Sequence, residues 1–158
     1  MRKGRRLAID LGEARIGVSH CDPDGILATP LTTIKRAGQD NLTLANQLAA
    51  LADDDAAIEI VVGLPVHLSG ADGAAASGAR AFAGQLAAVW SGPVRLFDER
   101  LTTVEANRRL RGAGRDERSG RAVIDQAAAT VLLQAAIDQE RATGQPSGEL
   151  VQLESPRG

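Results

Sequence analysis

Residues 6–34, RLAIDLGEARIGVSHCDPDGILATPLTTI, contain three strand-like segments joined by short turns. The segments cover residues 6–10, 16–20 and 26–34, where β-branched residues recur among small or polar ones. That pattern is typical of strands, and the Asp-Pro-Asp-Gly sequence at 22–25 is a strong turn signal. Three strands joined by short turns predict an antiparallel meander at the start of the fold.

After the meander, helical and strand-like patterns alternate along the chain. The expected elements are a helix over residues 41–52, a strand over 58–62, an alanine-rich helix ending near 90, a strand over 93–98, a helix beginning at 102 and a last helix over 119–141. The helix at 102 is expected because Thr102-Thr103-Val104-Glu105 matches a capping box. Together these elements predict a three-layer α/β fold with a mixed, five-stranded sheet.

The length of the chain predicts one folded domain. A chain of 158 residues has the size of a single domain, which we expect to cover residues 1–141. Residues 142–158 contain Gly144, Pro146 and Gly148, and we expect them to form a disordered tail.

The composition predicts an aliphatic core in a cytoplasmic protein. Hydrophobic residues make up 44% of the sequence but aromatic residues only 2%, so aliphatic side chains must fill the core. No apolar run approaches the ~20 residues that a membrane-spanning helix needs. The first residues, MRKGRR, lead into a strand-like segment without the apolar region of a signal peptide.

Positive charge is concentrated in one segment of this mildly acidic sequence. The formal net charge is −2, and 16 of the 18 basic residues are arginines, because Lys3 and Lys35 are the only lysines. Seven arginines fall within 22 positions, namely Arg100, Arg108, Arg109, Arg111, Arg115, Arg118 and Arg121. Arginine binds phosphate oxygens through two parallel hydrogen bonds, so this segment predicts a nucleic-acid-binding surface. The alternative is a solvated helix face that binds no ligand.

Acidic residues stand at the ends of two predicted strands. Asp10 closes the first strand, and Glu99 follows the last one in the sequence Asp98-Glu99-Arg100. A catalytic group at a strand end is held rigidly by the sheet. The alternatives are a turn role for Asp10, and for Asp98 and Glu99 either an ion pair with Arg100 or a position near a helix N-terminus.

A third acidic residue, Asp125, falls at the edge of the apolar stripe of the last predicted helix. Its helical neighbours Ala128, Ala129 and Leu132 cannot pair with it. Arg121, four positions earlier, can pair with it and is the structural alternative. An acid that faces a sheet requires a cation, and a metal ion is one candidate.

The residue types present predict oxygen ligands for such a metal. His20 and His67 are the only histidines and Cys21 is the only cysteine, so the sequence has neither a zinc motif nor a disulfide, and redox chemistry is not expected. Oxygen-only ligation favours Mg²⁺ or Mn²⁺. Two such ions can activate the attacking water and stabilise the leaving oxygen of a phosphodiester.

Short motifs follow one another in a fixed order between residues 6 and 138. They are AIDLG at 8–12 with RIGV at 15–18, VGLP at 62–65, DERLTT at 98–103 and VIDQAA at 123–128. This series resembles the signature motifs of the YqgF/RuvX family, the Holliday-junction-resolvase-like proteins linked to processing of pre-16S ribosomal RNA. The DERLTT segment is the most specific, whereas actin-like ATPases share a motif similar to AIDLG. Those ATPases bind nucleotide between two domains, and this chain is expected to have one.

The resemblance implies a ribonuclease H-like, three-layer α/β/α fold with strand order 3-2-1-4-5. It assigns the catalytic and metal-binding roles to Asp10, Glu99 and Asp125, the three acids identified above. We expect Arg15, Arg100 and Arg108 to contact nucleic acid, the alternative being that they are solvated or paired. Ala14 stands where many members of the family have lysine, which removes one positive charge from this surface.

The resulting hypothesis is a metal-dependent endonuclease that hydrolyses phosphodiester bonds of structured nucleic acid. The resemblance implies action in 5′-end maturation of pre-16S ribosomal RNA, with pre-ribosomal particles as partners of a monomer or homodimer. One alternative is a Holliday-junction-type DNA resolvase. Another is a factor that binds nucleic acid or the ribosome without catalysis, because a fold does not guarantee an activity.

Overall fold

The computed structural model describes residues 1–65, 73–102 and 118–152, except for the side chains of residues 118–124. Its elements are β1 (Arg6–Leu11), β2 (Arg15–Cys21), β3 (Ala28–Lys35), α1 (Asn41–Asp54), β4 (Glu59–Leu64), α2 (Ala74–Val89), β5 (Val94–Asp98), α3 (Arg118–Thr143) and β6 (Glu149–Leu150). One turn of 3₁₀ helix, Glu99–Leu101, follows β5.

The described strands form one mixed sheet in the order β3-β2-β1-β4-β5-β6. β1 pairs antiparallel with β2, and β2 pairs antiparallel with β3, so the predicted meander is confirmed. On its other side β1 runs parallel to β4, which in turn runs parallel to β5. β1 therefore belongs both to the meander and to the parallel half of the sheet, and its C-terminal end lies at the same edge as the ends of β4 and β5.

Helices cover both faces of the sheet. Leu7 and Ile9 of β1 belong to the core cluster formed with α1 and α2, whereas Ala8 belongs to the cluster formed with α3. The two clusters follow the alternation of side chains along a strand and confirm the three-layer arrangement. In the parts of the chain that the structure describes, no helix is long and apolar enough to cross a membrane.

The prediction of five strands is wrong, because a sixth short strand pairs antiparallel with β5. Gly144 and Gly148 have φ values of +75° and +81°, so the residues that indicated disorder instead turn the chain from α3 back to the sheet. The buried Ser147 hydroxyl donates to the Ala136 carbonyl at 2.5 Å, and the Val151 amide donates to the Val94 carbonyl at 2.8 Å. Part of the expected tail, 142–158, therefore packs against the fold, and residues 153–158 lie outside the described residues.

The predicted helix start at Thr102 lies at the boundary of the described residues. The Thr102 hydroxyl donates to the Glu99 carbonyl at 2.8 Å and so closes the 3₁₀ turn. Glu105, its expected capping partner, lies outside the described residues, as does most of the helix predicted there. The last helix, α3, covers the predicted residues 119–141 and extends slightly beyond both ends.

Candidate active site

Asp10 lies near the C-terminal end of the central strand β1, with only 1% of its surface exposed. It pairs with Gly17 of β2 across the antiparallel ladder. Since side chains alternate along β1 and Ala8 faces α3, the side chain of Asp10 also points towards α3. The turn that follows is closed by a hydrogen bond of 2.9 Å from the Gly12 amide to the Arg15 carbonyl. The sheet therefore holds a buried acid on the face that α3 covers.

Asp125 of α3 lies over the glycine that pairs with Asp10. A β-carbon built on Gly17 would lie 2.1 Å from the carbonyl oxygen of Asp125, so the helix backbone uses the space that a side chain would fill. The Gln126 side chain donates to Thr33 at 3.0 Å, and the Ser19 hydroxyl donates to the Ala129 carbonyl at 2.7 Å. These contacts fix the helix on β2 and β3 and bury Asp125 beside the end of β1.

Glu99 reaches the same face from the other side of β1. It begins the 3₁₀ turn after β5, and it is buried. A β-carbon built on Gly63 would lie 2.7 Å from the Oε1 atom of Glu99. The β1–β4 register pairs Ile9 with Val62, which places Gly63 of β4 at the level of Asp10.

The fold thus gathers three acids from sequence positions far apart. Asp10 lies in the middle strand, with Gly17 on one neighbouring strand and Gly63 on the other. Asp125 covers the first glycine and Glu99 covers the second. Arg121, the alternative partner proposed for Asp125, has its side chain outside the described residues. The three carboxylates that the sequence selected therefore belong to neighbouring parts of one buried region.

The donor set at this region fits a hard divalent cation. Among the described side chains, no group of three or more His, Cys, Asp or Glu residues forms a metal cage. Mg²⁺ does not require such a cage, because one or two carboxylates, waters and substrate phosphates commonly complete its coordination. His20 binds Asp55 at 2.9 Å and pairs with Leu7 towards the other end of β1, so it lies apart from the three acids. The carboxylate oxygens of Asp10, Glu99 and Asp125 are thus the type of donor that Mg²⁺ or Mn²⁺ prefers.

Arg100 is ion-paired in this structure. Its Nη2 lies 2.6 Å from Oδ2 of Asp98, and its backbone amide also donates to the same carboxylate. The hydrogen bonds from the Arg100 side chain lower the pKa of Asp98, and the same pair raises the pKa of Arg100. The ion-pair alternative therefore applies to Asp98, which leaves Glu99 as the buried acid of this segment.

Of the other two arginines predicted to contact nucleic acid, the structure describes only one. Arg15 begins β2 next to the turn after Asp10 and is half-buried, while Arg108 lies outside the described residues. Arg36 was not predicted from the sequence, and its guanidinium donates to the Gly12 carbonyl at 2.5 Å and to Asn41 at 3.1 Å. No motif marks Arg36, because the turn it binds is distant in sequence. Gly17 and Gly63 belong to the sequence motifs, but the spacing of the motifs did not predict a role for either glycine.

The fold resembles that of a resolvase of known structure. RuvC of T. thermophilus, solved in complex with Holliday junction substrate, aligns with a TM-score of 0.59 at 14% identity. The alignment covers 90% of this chain and 99% of that chain. A second structure of Thermus thermophilus RuvC aligns with a TM-score of 0.53 at the same identity. These likenesses confirm the ribonuclease H-like fold class.

Sequence relatives extend over nearly the whole chain. A protein of Streptomyces avermitilis is 51% identical over 97% of this chain and 97% of its own length. A protein of Thermobifida fusca is 56% identical over 96% of this chain and 98% of its own length. Both carry the provisional name pre-16S rRNA nuclease. The model of the RuvX family, described as Holliday junction resolvase, matches residues 4–139, and the chain therefore belongs to the RuvX family.

Proposed function

We propose that this chain is a divalent-metal-dependent endonuclease that cuts structured nucleic acid during 5′-end maturation of pre-16S ribosomal RNA. The observation that carries the proposal is the burial of Asp10, Glu99 and Asp125 around the end of β1. Burying three acids in one region costs free energy, and a bound cation offsets part of that cost. Family membership and the names of the relatives identify nucleic acid as the substrate class.

The three carboxylates would hold the metal, and each comes from a different rigid element. Mg²⁺ or Mn²⁺ bound there supplies activation of the attacking water and stabilisation of the leaving oxygen. Asp10 is fixed by two neighbouring strands, Asp125 by a helix that packs directly on β2, and Glu99 by a 3₁₀ turn with hydrogen bonds at both ends. Such fixed geometry is what alignment of a phosphodiester with its nucleophile requires.

Arginines beside these acids would position the substrate backbone. We assign phosphate contacts to Arg15, Arg100 and Arg108, since a guanidinium matches phosphate oxygens as well as it matches a carboxylate. Arg100 would exchange its partner Asp98 for a phosphate when substrate binds. Aromatic residues make up 2% of the sequence, so recognition would rest on backbone shape and charge rather than base stacking.

A branched DNA junction is the second candidate substrate. The description of the family model and the junction complex of the structurally similar RuvC favour it. The catalytic carboxylates would be the same in both cases, because both substrates offer a phosphodiester to the same chemistry. Only the shape of the nucleic acid distinguishes the two proposals.

The test is a cleavage assay with matched substrates. Purified protein is incubated with Mn²⁺, with Mg²⁺ or with chelator, against a pre-16S RNA fragment, its mature-end counterpart, a four-way DNA junction and a linear duplex. We expect metal-dependent cleavage of the precursor RNA at one position and no cleavage with chelator. Preferential cutting of the junction would favour the resolvase. An inactive wild type that still binds the RNA would overturn the enzyme proposal in favour of a binding factor.

A further inference from the structure

We propose that Gly63 is a positioning residue whose missing side chain provides the space occupied by the Glu99 carboxylate. Its catalytic consequence rests on the function proposed above, whereas the packing relation stands on the structure alone. A β-carbon built on Gly63 would lie 2.7 Å from Oε1 of Glu99, which is closer than real contacts of this kind. The absence of a side chain at Gly63 thus leaves room for one carboxylate oxygen of Glu99.

The two glycines beside Asp10 differ in what a side chain would displace. At Gly17 the obstacle is the backbone carbonyl of Asp125, so a methyl group there would push helix α3 away from the sheet. At Gly63 the nearest obstacle is the terminal oxygen of Glu99, which can rotate about the side-chain bonds. Substitution of Gly17 is therefore expected to damage the fold, whereas substitution of Gly63 is expected to move a functional group.

The main chain of Glu99 is held by its own turn. The Asp98 carboxylate accepts from the Arg100 amide at 2.9 Å, and the Thr102 hydroxyl donates to the Glu99 carbonyl at 2.8 Å. Leu132 of α3 also faces Gly63, with its Cδ2 3.1 Å from the position of the added carbon. Because Glu99 is 4% exposed and its backbone is fixed, a methyl group at residue 63 must be accommodated mainly by the carboxylate.

The experiment is a double-mutant cycle between residues 63 and 99. The variants are Gly63→Ala, Glu99→Asp and the pair together, with Gly78→Ala as the control because a β-carbon there meets nothing within 4 Å. Each is measured by cleavage rate, by Mn²⁺ affinity in calorimetry without substrate, and by melting temperature without metal. The Glu99→Asp substitution shortens the side chain by one methylene group and so removes the carboxylate from the space above residue 63.

We expect Gly63→Ala to lower the cleavage rate by about 100-fold, as a displacement on the order of 1 Å does in other enzymes. Mn²⁺ affinity should fall with it, while the melting temperature should drop by no more than about 4 °C. In the Glu99→Asp background, Gly63→Ala should change none of the three quantities appreciably, because the carboxylate has already left that space. Gly78→Ala should cleave at the wild-type rate.

Several results would overturn the proposal. One is a Gly63→Ala variant that cleaves and binds Mn²⁺ as the wild type does. Another is a double variant whose change in melting temperature equals the sum of the two single changes. If Leu132→Val restores the melting temperature of Gly63→Ala and Glu99→Asp does not, the space above residue 63 belongs to core packing instead. If the wild type neither cleaves nor binds Mn²⁺, the proposed function fails, and the melting cycle without metal still decides whether Gly63 seats Glu99.

Discussion

The two ends of β1 both bury charged residues, but they combine the charges in opposite ways. At the first end, Arg6 lies 3.0 Å from Glu140, and Arg2 contacts Glu140 at 2.6 Å and Glu59 at 3.1 Å. Positive and negative groups alternate there. At the second end, Asp10 lies between two glycines, which are covered by Asp125 and Glu99, two further buried acids of the described residues.

This difference separates a cluster of ion pairs from the proposed active site. Buried ions lose their hydration, and a close partner of opposite sign returns much of that energy. Buried acids of the same charge repel one another, and a bound cation relieves that repulsion. Among the described side chains, arginines pair with the buried acids at the first end of β1, whereas the function proposed above assigns the acids at the second end to a metal ion. Under the proposed function, stability and activity depend on opposite ends of the same strand.

The largest expected effect is the loss of cleavage when an acid at the second end is neutralised. Asp10→Asn, Glu99→Gln and Asp125→Asn should each lower the cleavage rate by at least about 1,000-fold, which corresponds to about 4 kcal/mol in the activation barrier. Asp98→Asn is the matched control, and because it breaks a partly exposed pair its effect should stay below about tenfold. Turnover close to wild type in any of the first three variants contradicts the metal-carboxylate mechanism.

Removing an acid at the first end should instead affect stability. Glu140→Ala leaves Arg6 buried without its carboxylate, so we expect the free energy of unfolding to fall by about 3 to 5 kcal/mol. Urea unfolding measures this change, and cleavage by the folded fraction should remain normal. A stable variant that has lost cleavage would show that the two ends of β1 are not separate in role.

The acid dependence of stability provides a finer test. Burial alone would raise the pKa of Glu140, but hydrogen bonds and charge from Arg2, together with the charge of Arg6, lower it to about 2 from 4.5. Since the folded pKa is depressed, this stabilisation is present above pH 4.5 and is lost as the pH falls towards 2. The loss should amount to about 3 kcal/mol.

Glu140→Gln should flatten this pH profile between 4.5 and 2, as followed by urea unfolding at a series of pH values. Asp138→Asn is the control, because Asp138 is exposed and makes a salt bridge of 3.4 Å with Arg141 at the surface. An unchanged profile in Glu140→Gln would mean that other carboxylates dominate acid unfolding.

The smallest expected effects concern arginines at the two ends. If Arg15 and Arg100 contact phosphates, replacing either with alanine should reduce the slope of log affinity against log salt by about 0.7 to 0.9. Arg141→Ala is the control, since Arg141 donates to the Gly25 carbonyl near the first end of β1. Titration of a labelled RNA at several salt concentrations measures the slopes. Equal slopes in all three variants and wild type would assign Arg15 and Arg100 to solvated or paired roles.

Local sequence patterns were sufficient for most of the secondary structure. The alternation in residues 6–34 predicted β1 to β3, and the apolar stripe around Asp125 predicted α3, because strand and helix periods are properties of short segments. Local patterns also selected Asp10 and Glu99 at strand ends and Asp125 at the edge of an apolar stripe, and all three are buried. The partial mistake concerned β6, since its pairing with β5 depends on a turn built from glycines that also occur in disordered chains.

The sequence by itself determined the α/β class, the first five strands and the acidic residues, because each is encoded by neighbours along the chain. Only the tertiary structure decided that Gly17 lies under Asp125, that Gly63 lies under Glu99 and that Arg36 holds the turn after Asp10. Each of these contacts joins residues that are distant in sequence. Their distances depend on strand register and helix position, which the packing of the whole sheet sets.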